Sequence, residues 1–307
     1  MARIRDFFTV VRRVGPLTFA KKIWFEVNDD NLFTNASALA YAWLFAVFPF
    51  LIFLLSLLPY LPDRLKGEAQ EQLTIQLKEN LPKKADILLS NVQQFMDQPK
   101  GSLLSVGLII TIWAASGGMA MTMAALDTAF DVEKRRPFYK QRLLAILLTV
   151  VVATLILIVL ALLPLGSIAA GFAQKYGAEW LEKIHLTESW LAPILMAWHI
   201  IRFSLSFVLL FTVLAILYHW GTVARTRLRF LSPGAIFCVV VWLLLGALFR
   251  FYVDKFGKYE KTYGTVGGVA ILLLFFYIDA LVLLTGAEIN SEVEAQMHES
   301  PEPSTEV

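Results

Sequence analysis

The segment TVGGVAILLLFFYIDALVLLTGAE, residues 265–288, decides the fold class of this chain. A transmembrane helix needs about 20 predominantly apolar residues, and this segment provides them. Its apolar residues run on continuously, without the alternation of polar and apolar positions that a membrane-spanning strand shows. The segment therefore predicts a transmembrane helix. The helix carries an ionisable group in its interior, Asp279, where a charge is costly.

Further segments satisfy the same requirement, so that six transmembrane helices are predicted in all. The others are residues 35–61, 102–128, 143–173, 190–218 and 231–253. The composition agrees, because 57% of the residues are hydrophobic and 17% are charged, against about 45–50% and about 25% in soluble domains. These values exclude an ordinary soluble enzyme, a disordered chain and a nucleic-acid binder that relies on bulk positive charge. The predicted fold class is an all-α, polytopic membrane protein.

Three other segments flank or interrupt this transmembrane domain, 35–290. Residues 1–34 carry several Arg and Lys among apolar residues at helical spacing, which predicts a basic amphipathic arm on a membrane surface. Residues 62–101 are a long polar insertion in which two amphipathic helices are predicted. Residues 291–307 are acidic, without Lys or Arg, and are predicted to be disordered.

The distribution of basic residues predicts the orientation of the helices. Lys and Arg are more numerous at the span ends on the side of the N-terminus, as in 3–22 and 134–142, than on the opposite side. Because cytoplasmic loops carry an excess of Lys and Arg, we expect both termini in the cytoplasm.

A pair of basic side chains lies inside the fourth predicted span. His199 and Arg202 are three residues apart, and so they share one face of a helix. At 1.5 Å per residue, Arg202 and Asp279 both lie about 20 Å from the outer ends of their spans. We expect these two charges to pair, either as a structural bridge or as the lining of a polar cavity or substrate path. The alternative is that Arg202 extends towards the lipid headgroups and does not meet Asp279.

A second polar cluster is expected where several spans end on the cytoplasmic side. Its candidate members are Asn35, Ser37, Asp127, Glu288 and Asn290. A structural role is the main prediction for this cluster. The chain shows no metal-site spacing, no cofactor motif and a single cysteine, Cys238, which cannot form an internal disulfide.

Glycines in the spans predict close contacts between helices, because a missing side chain lets two backbones approach. The candidates are Gly117, Gly118, Gly264, Gly267 and Gly268. The last three open the sixth span, where they could also expose backbone groups to a ligand. Helix packing is the favoured interpretation.

Three blocks of sequence carry a resemblance to a known family. They are ASALAYAWLFAVFPFLIFLLSLL at 36–58, ALDTAFDVEKRRPFYKQRLLAI at 125–146 and YGTVGGVAILLLFFYIDALVLLTGAEINSEVE at 263–294. Together they are similar to the YihY/virulence factor BrkB family of bacterial inner-membrane proteins, over about residues 30–295. The chain departs from the family's pattern at two positions. Asp127 stands where Asn is expected, and Asp279 stands where relatives carry a small polar residue.

The resemblance implies a six-helix integral protein of the bacterial inner membrane and leaves its activity open. The favoured hypothesis is a transporter or lipid-handling protein that takes an unidentified small molecule or lipid into a polar cavity in the membrane. The second is a non-catalytic scaffold in envelope maintenance, with 1–34 and 62–101 as contact surfaces. The third is an intramembrane enzyme, since some relatives carry a tRNA-processing ribonuclease label. The sequence shows no catalytic or metal-binding constellation for the third.

The partners expected from these hypotheses are membrane lipids and the unidentified substrate. Neither nucleic acid nor a cofactor is expected. The sequence does not determine the oligomeric state.

Overall fold

The computed structural model describes residues 4–57, 101–183, 191–224, 228–256 and 259–298. Within these residues the chain forms helices and no strand. In chain order the helices are α1 (Ile4–Val14), α2 (Pro16–Asp29), α3 (Leu32–Leu57), α4 (Gly101–Ala129), α5 (Phe138–Lys183), α6 (Leu191–Trp220), α7 (Pro233–Phe256) and α8 (Tyr259–His298).

Five of these helices, α3, α4, α5, α6 and α8, are long and apolar enough to cross a membrane. The apolar stretch described in α7 is shorter, Pro233–Phe249. The 24 residues of α7 nevertheless extend about 36 Å, which exceeds the roughly 30 Å of a bilayer's hydrocarbon core. The predicted all-α, polytopic membrane class is confirmed. The helices predicted in 62–101 lie outside the described residues, except that residue 101 begins α4.

The six long helices pack as a closed ring. Each contacts the next in chain order from α3 to α8, and α8 returns to pack against α3. The order of these contacts therefore follows the order along the chain, and α8 also packs against α4. One feature matters for the site: α6 packs mainly against α5, and α8 packs mainly against α3 and α7.

The N-terminal arm packs under one end of this ring, which we call the arm end. The arm consists of α1 and α2, joined at Gly15, whose φ of 90° suits glycine. Phe7 and Phe19 meet edge to face at 5.6 Å between ring centres. Val10 and Val27 are buried. The predicted amphipathic arm is thus formed by two helices, and one face of each is covered by the bundle.

The end of α8 corrects the predicted start of the C-terminal tail. The helix continues through residues 291–298, which were expected to be disordered. Val293 is fully buried, Lys22 Nζ lies 3.4 Å from the Glu292 carboxylate, and the Arg13 guanidinium donates to the Gln296 carbonyl. Packing against the arm therefore offsets the acidic composition of this segment. The rest of the predicted tail, 299–307, lies outside the described residues.

Among the residues whose burial is described, the tightest packing is at the arm end. Leu39, Leu126, Leu148, Leu214 and Leu284, one from each of five helices, are at most 2% exposed. In the opposite half of the ring, which we call the far half, side chains of α6 between 193 and 208 are mostly exposed around the helix. The helices are therefore held together at the arm end and leave much of α6 uncovered in the far half.

Candidate functional site

Arg202 is a buried cation in the far half of α6. Only 6% of the residue is exposed, whereas Ile201 and Phe203 on either side are 58% and 49% exposed. Its guanidinium lies 3.0 Å from Nδ1 of His199 and 5.0 Å from the ring centre of Phe203. A guanidinium only donates, so His199 Nδ1 accepts and the other ring nitrogen carries the proton. The structure thus brings the two predicted basic residues of this span together on one face.

Asp279 lies on α8 and does not pair with Arg202. Both residues are described, and no ion pair joins them. Among the described residues α6 packs mainly against α5, and α8 packs mainly against α3 and α7, whereas the direct contact of α6 with α8 at Tyr218 lies at the arm end. Similar predicted depth in the membrane does not make two helices neighbours. The expected bridge is not formed.

Asp127 holds the turn that follows α6. The residue is 2% exposed at the end of α4. Its Oδ1 accepts hydrogen bonds from Thr222 Oγ1 at 2.8 Å and from the Val223 N–H at 2.7 Å. Thr222 Oγ1 in turn accepts from the Ala224 N–H at 3.1 Å. A single carboxylate oxygen therefore fixes the first turn of the α6–α7 connection.

Arg136 binds the same turn from the other side. Its guanidinium donates to the carbonyls of Trp220 at 3.2 Å, Gly221 at 3.3 Å and Thr222 at 2.6 Å. These are carbonyls at a helix C-terminus, which lack partners within the helix and attract cations. Asp127 and Arg136 together form what we call the α6 clamp. The basic segment 134–142 was predicted only as a topology signal, and this role for Arg136 was missed.

Asn290 holds the start of α7. Its Oδ1 accepts from the Gly234 N–H at 2.9 Å, and its Nδ2 donates to Ser232 Oγ at 3.1 Å. Ser232 Oγ also accepts from the Ala235 N–H at 3.2 Å, which is the bond of an N-cap residue. Asn290 and the α6 clamp thus secure both ends of the α6–α7 connection.

The other members of the predicted cluster do not join these two sets. Asn35 Nδ2 donates to the Asp30 carbonyl at 3.2 Å, beside a cavity of about 150 Å³ between α3 and α4. Ser37 is exposed and bonds to the Phe33 carbonyl one turn back. Glu288 is 2% exposed, and its Oε2 has no hydrogen-bond partner. The predicted single cluster is therefore not formed: Asp127 and Asn290 belong to two separate hydrogen-bond sets, and Asn35, Ser37 and Glu288 join neither.

The predicted packing glycines differ in how closely other side chains approach them. A Cβ at Gly118 would lie 3.2 Å from Trp43 Cδ1 on α3, so this glycine does sit at a helix contact. At Gly117 the nearest atom would be the end of Arg142, 3.7 Å away, and Gly268 has nothing within 4 Å. Gly267 is buried. The side-chain surroundings of Gly264 lie outside what is described.

The closest contact between helices among the described glycines was not predicted from the sequence. A Cβ at Gly234 would collide with the Gly286 carbonyl, and a Cβ at Gly286 would collide with Cys238 Sγ and Tyr218 Oη. Tyr218 Oη donates to the Leu283 carbonyl at 2.8 Å, and it lies 3.0 Å from Cys238 Sγ. This joins α6, α7 and α8 at the arm end. Gly286 lies in the quoted segment but differs in no local way from the other glycines there.

Asp30, outside the membrane-spanning helices, has a perturbed acidity. Burial and the nearby charges of Asp131, Glu26 and Asp29 raise its pKa from 3.8 to about 6. Burial and the charge of Asp131 also raise the pKa of Glu26. Both carboxyls belong to the arm and its connection to α3.

This shift predicts a pH dependence of stability. Between pH 3.8 and about 6 the folded protein binds a proton at Asp30 that the unfolded chain releases. The stabilising contribution is therefore complete below 3.8, is lost as the pH rises through 6, and stays absent above. The apparent unfolding midpoint in detergent should fall over this range, and less steeply in Asp30→Asn. The exposed Glu133→Gln is the control, and an unchanged slope in Asp30→Asn would contradict the assignment.

These features define an integral membrane protein whose long helices form a ring and are joined at the arm end by buried hydrogen bonds and close glycine contacts. The chain belongs to the Virulence factor BrkB family, whose sequence profile matches residues 23–306. It is 32% identical to the ribonuclease-like protein YfkH of Bacillus subtilis (strain 168), over 90% of this chain and 94% of that protein.

Two further relatives are UPF0761 membrane proteins. Those of Xanthomonas axonopodis pv. citri (strain 306) and Stenotrophomonas maltophilia (strain K279a) are 26% and 28% identical, over 95% and 96% of this chain. The chain spans 64% of the length of each of these two relatives. No solved structure matches the chain significantly.

Proposed function

We propose that this protein moves or binds an anionic amphiphile, such as an acidic phospholipid, in the far half of its helix ring. The observation that carries the proposal is Arg202, a 6% exposed guanidinium in the middle of a membrane-spanning helix. Ionisable groups at such positions are costly and commonly mark substrate paths. A guanidinium is also well suited to bind a phosphate or carboxylate.

Packing and polarity support this choice of region. The far half of α6 has uncovered faces for a lipid chain, and His199 adds an exposed polar group beside Arg202. The arm end, by contrast, is closed by buried hydrogen bonds and glycine contacts. An uncovered far half and a closed arm end are the arrangement expected of one state of a transporter.

The proposal includes an orientation and a location. The arm end carries α1, α2 and the basic segment 134–142, which favours the cytoplasmic side of a bacterial inner membrane. The far half then faces the outer leaflet. Among the described residues, no three His, Cys, Asp or Glu side chains come together as metal ligands.

The test is a lipid-exchange assay in proteoliposomes that hold fluorescent phosphatidylglycerol. The wild type should speed the exposure of the inner-leaflet lipid to a membrane-impermeant quencher. Arg202→Gln should slow that rate about 10- to 100-fold, since a hydrogen bond to a charged group contributes about 1.5–3 kcal/mol. Arg12→Gln is the matched control, because Arg12 is exposed on α1.

Two outcomes would count against the proposal. One is an equal rate with and without protein. The other is a rate for Arg202→Gln equal to that of the wild type when both are folded by size-exclusion chromatography. Fluorescent phosphatidylcholine, which is zwitterionic, tests the charge preference and should move more slowly.

A further inference from the structure

Carboxyl groups from separate parts of the chain converge where the arm meets α8. We call this group the carboxyl junction, and its members are Glu26, Asp30, Asp131, Glu288 and Glu292. They come from α2, from the connections after α2 and α4, and from two turns of α8. Each of the other four lies within electrostatic range of Glu288. Like charges that act on one another repel unless some of them bind protons.

Glu288 makes this junction more than an acidic surface. The residue is 98% buried, at 2% relative exposure. Its Oε2 has no hydrogen-bond partner, whereas the neighbouring Asn290 side chain is bonded at both its oxygen and its nitrogen. Burial without a hydrogen bond is costly for an ionised carboxylate and far less so for the neutral acid. Whether Glu288 is charged therefore depends on whether it binds a proton, because no hydrogen-bond donor at Oε2 stabilises the ionised form.

The cations near the junction are few and mostly engaged elsewhere. Lys22 Nζ lies 3.4 Å from the Glu292 carboxylate, and the positive charge of Lys22 also attracts the Glu26 carboxylate. Arg13 donates to the Gln296 carbonyl, and Arg135 donates to Thr128 Oγ1. On α1, Asp6 pairs with Arg229 at 3.7 Å. Among the described residues, the carboxyls of the junction thus outnumber the cations in contact with them.

We propose that the carboxyl junction is a proton-controlled latch that holds the arm against α8. When Glu288 and its neighbours bind protons, α2 packs on α8 as the structure shows. When they lose protons, the buried charge on Glu288 and the repulsion across the junction separate α2 from α8. The arm end, which closes the bundle, is thereby loosened in response to pH.

The pKa of Asp30 indicates the pH range in which the latch opens. Its pKa of about 6 means that this member titrates between acid and neutral conditions. The latch needs no transported substrate. Its test is therefore independent of the lipid-exchange assay, and either proposal can fail alone.

The test measures how often the buried face of α2 becomes accessible. Ile23 lies on that face and is 9% exposed, whereas Lys21 on the same helix is exposed. In lipid nanodiscs, the maleimide labelling rate of Ile23→Cys is divided by that of Lys21→Cys, which removes the pH dependence of the thiol. The native Cys238 is fully buried and serves as an internal blank.

We expect the ratio to rise by at least about tenfold between pH 5.5 and pH 8, because opening of the junction releases a proton over this range and each pH unit then favours the open form by up to about tenfold. Adding Glu288→Gln should keep the ratio low at both pH values, because the amide cannot ionise. Adding Glu133→Gln, outside the junction, should leave the rise unchanged.

Two results would overturn the latch. One is a labelling ratio that does not change with pH, and the other is a rise in that ratio that persists in the Glu288→Gln variant. Should Glu288→Gln fail to fold, Asp30→Asn and Asp131→Asn provide the second test. Each should reduce the rise, and an undiminished rise in both would equally refute the proposal.

Discussion

Alanine at Gly286 or at Gly234 is expected to destabilise this protein by about 3 kcal/mol, because the added methyl group would collide with a neighbouring helix. At Gly234 the added carbon would collide with the backbone carbonyl of Gly286, which cannot rotate away. At Gly286 it would collide with Cys238 Sγ and Tyr218 Oη. To make room, α7 and α8 must move apart. That movement also strains the hydrogen bond from Tyr218 to the Leu283 carbonyl, 2.8 Å long in the native packing.

The same two helices provide matched controls. Gly246 on α7 and Gly268 on α8 have no atom within 4 Å of an added Cβ. Alanine at either position should leave the unfolding midpoint unchanged or slightly raised, because alanine is the better helix former by about 0.5–1 kcal/mol. The measurement is the apparent unfolding midpoint in detergent, followed by fluorescence size-exclusion chromatography. If all four variants unfold at the same temperature, the close contact between α7 and α8 is wrong.

The contrast between Gly268 and Gly286 shows what sequence could predict here. Both lie in the segment 265–288. Gly268 was predicted to be a packing glycine, but no atom lies within 4 Å of a Cβ added there. Apolar length is a local property, so the class of protein and the approximate spans followed from sequence. Which face of a helix meets a neighbour depends on the order of helices around the ring. No local pattern contains that order.

The basic and acidic residues illustrate the same limit. His199 and Arg202 share a helix, so their spacing was enough to predict that they meet. Arg202 and Asp279 are on different helices, and each of those helices packs mainly against other neighbours. The segment 291–298 was judged by its charge alone, whereas its helix is stabilised by contacts with the arm. In each failure the deciding partner is distant in sequence.

Asp127 carries the second large prediction. Replacing Asp127 with alanine removes the acceptor of two buried hydrogen bonds, from Thr222 Oγ1 and the Val223 N–H. An unsatisfied buried donor costs about 1–3 kcal/mol, so we expect a loss of about 2–5 kcal/mol. The first turn after α6 should then loosen, and Arg136 should lose the fixed geometry of its three carbonyl partners.

Asparagine at position 127 is the informative comparison. Both hydrogen bonds reach the same oxygen, Oδ1, and an asparagine side chain presents an equivalent oxygen. Asp127→Asn should therefore stay within about 1 kcal/mol of the wild type, whereas Asp127→Ala should not. This agrees with the resemblance described above, in which asparagine is expected at this position.

The two variants separate geometry from charge at the α6 clamp. If the negative charge itself were needed, for example to balance the Arg136 guanidinium, then asparagine would be as damaging as alanine. If the clamp works by accepting two hydrogen bonds, asparagine keeps it and alanine removes it. Unfolding midpoints of the two variants, measured side by side in one detergent, decide between these roles. Equal and large losses would refute the hydrogen-bonding account, because asparagine still offers an acceptor to both donors and alanine offers none.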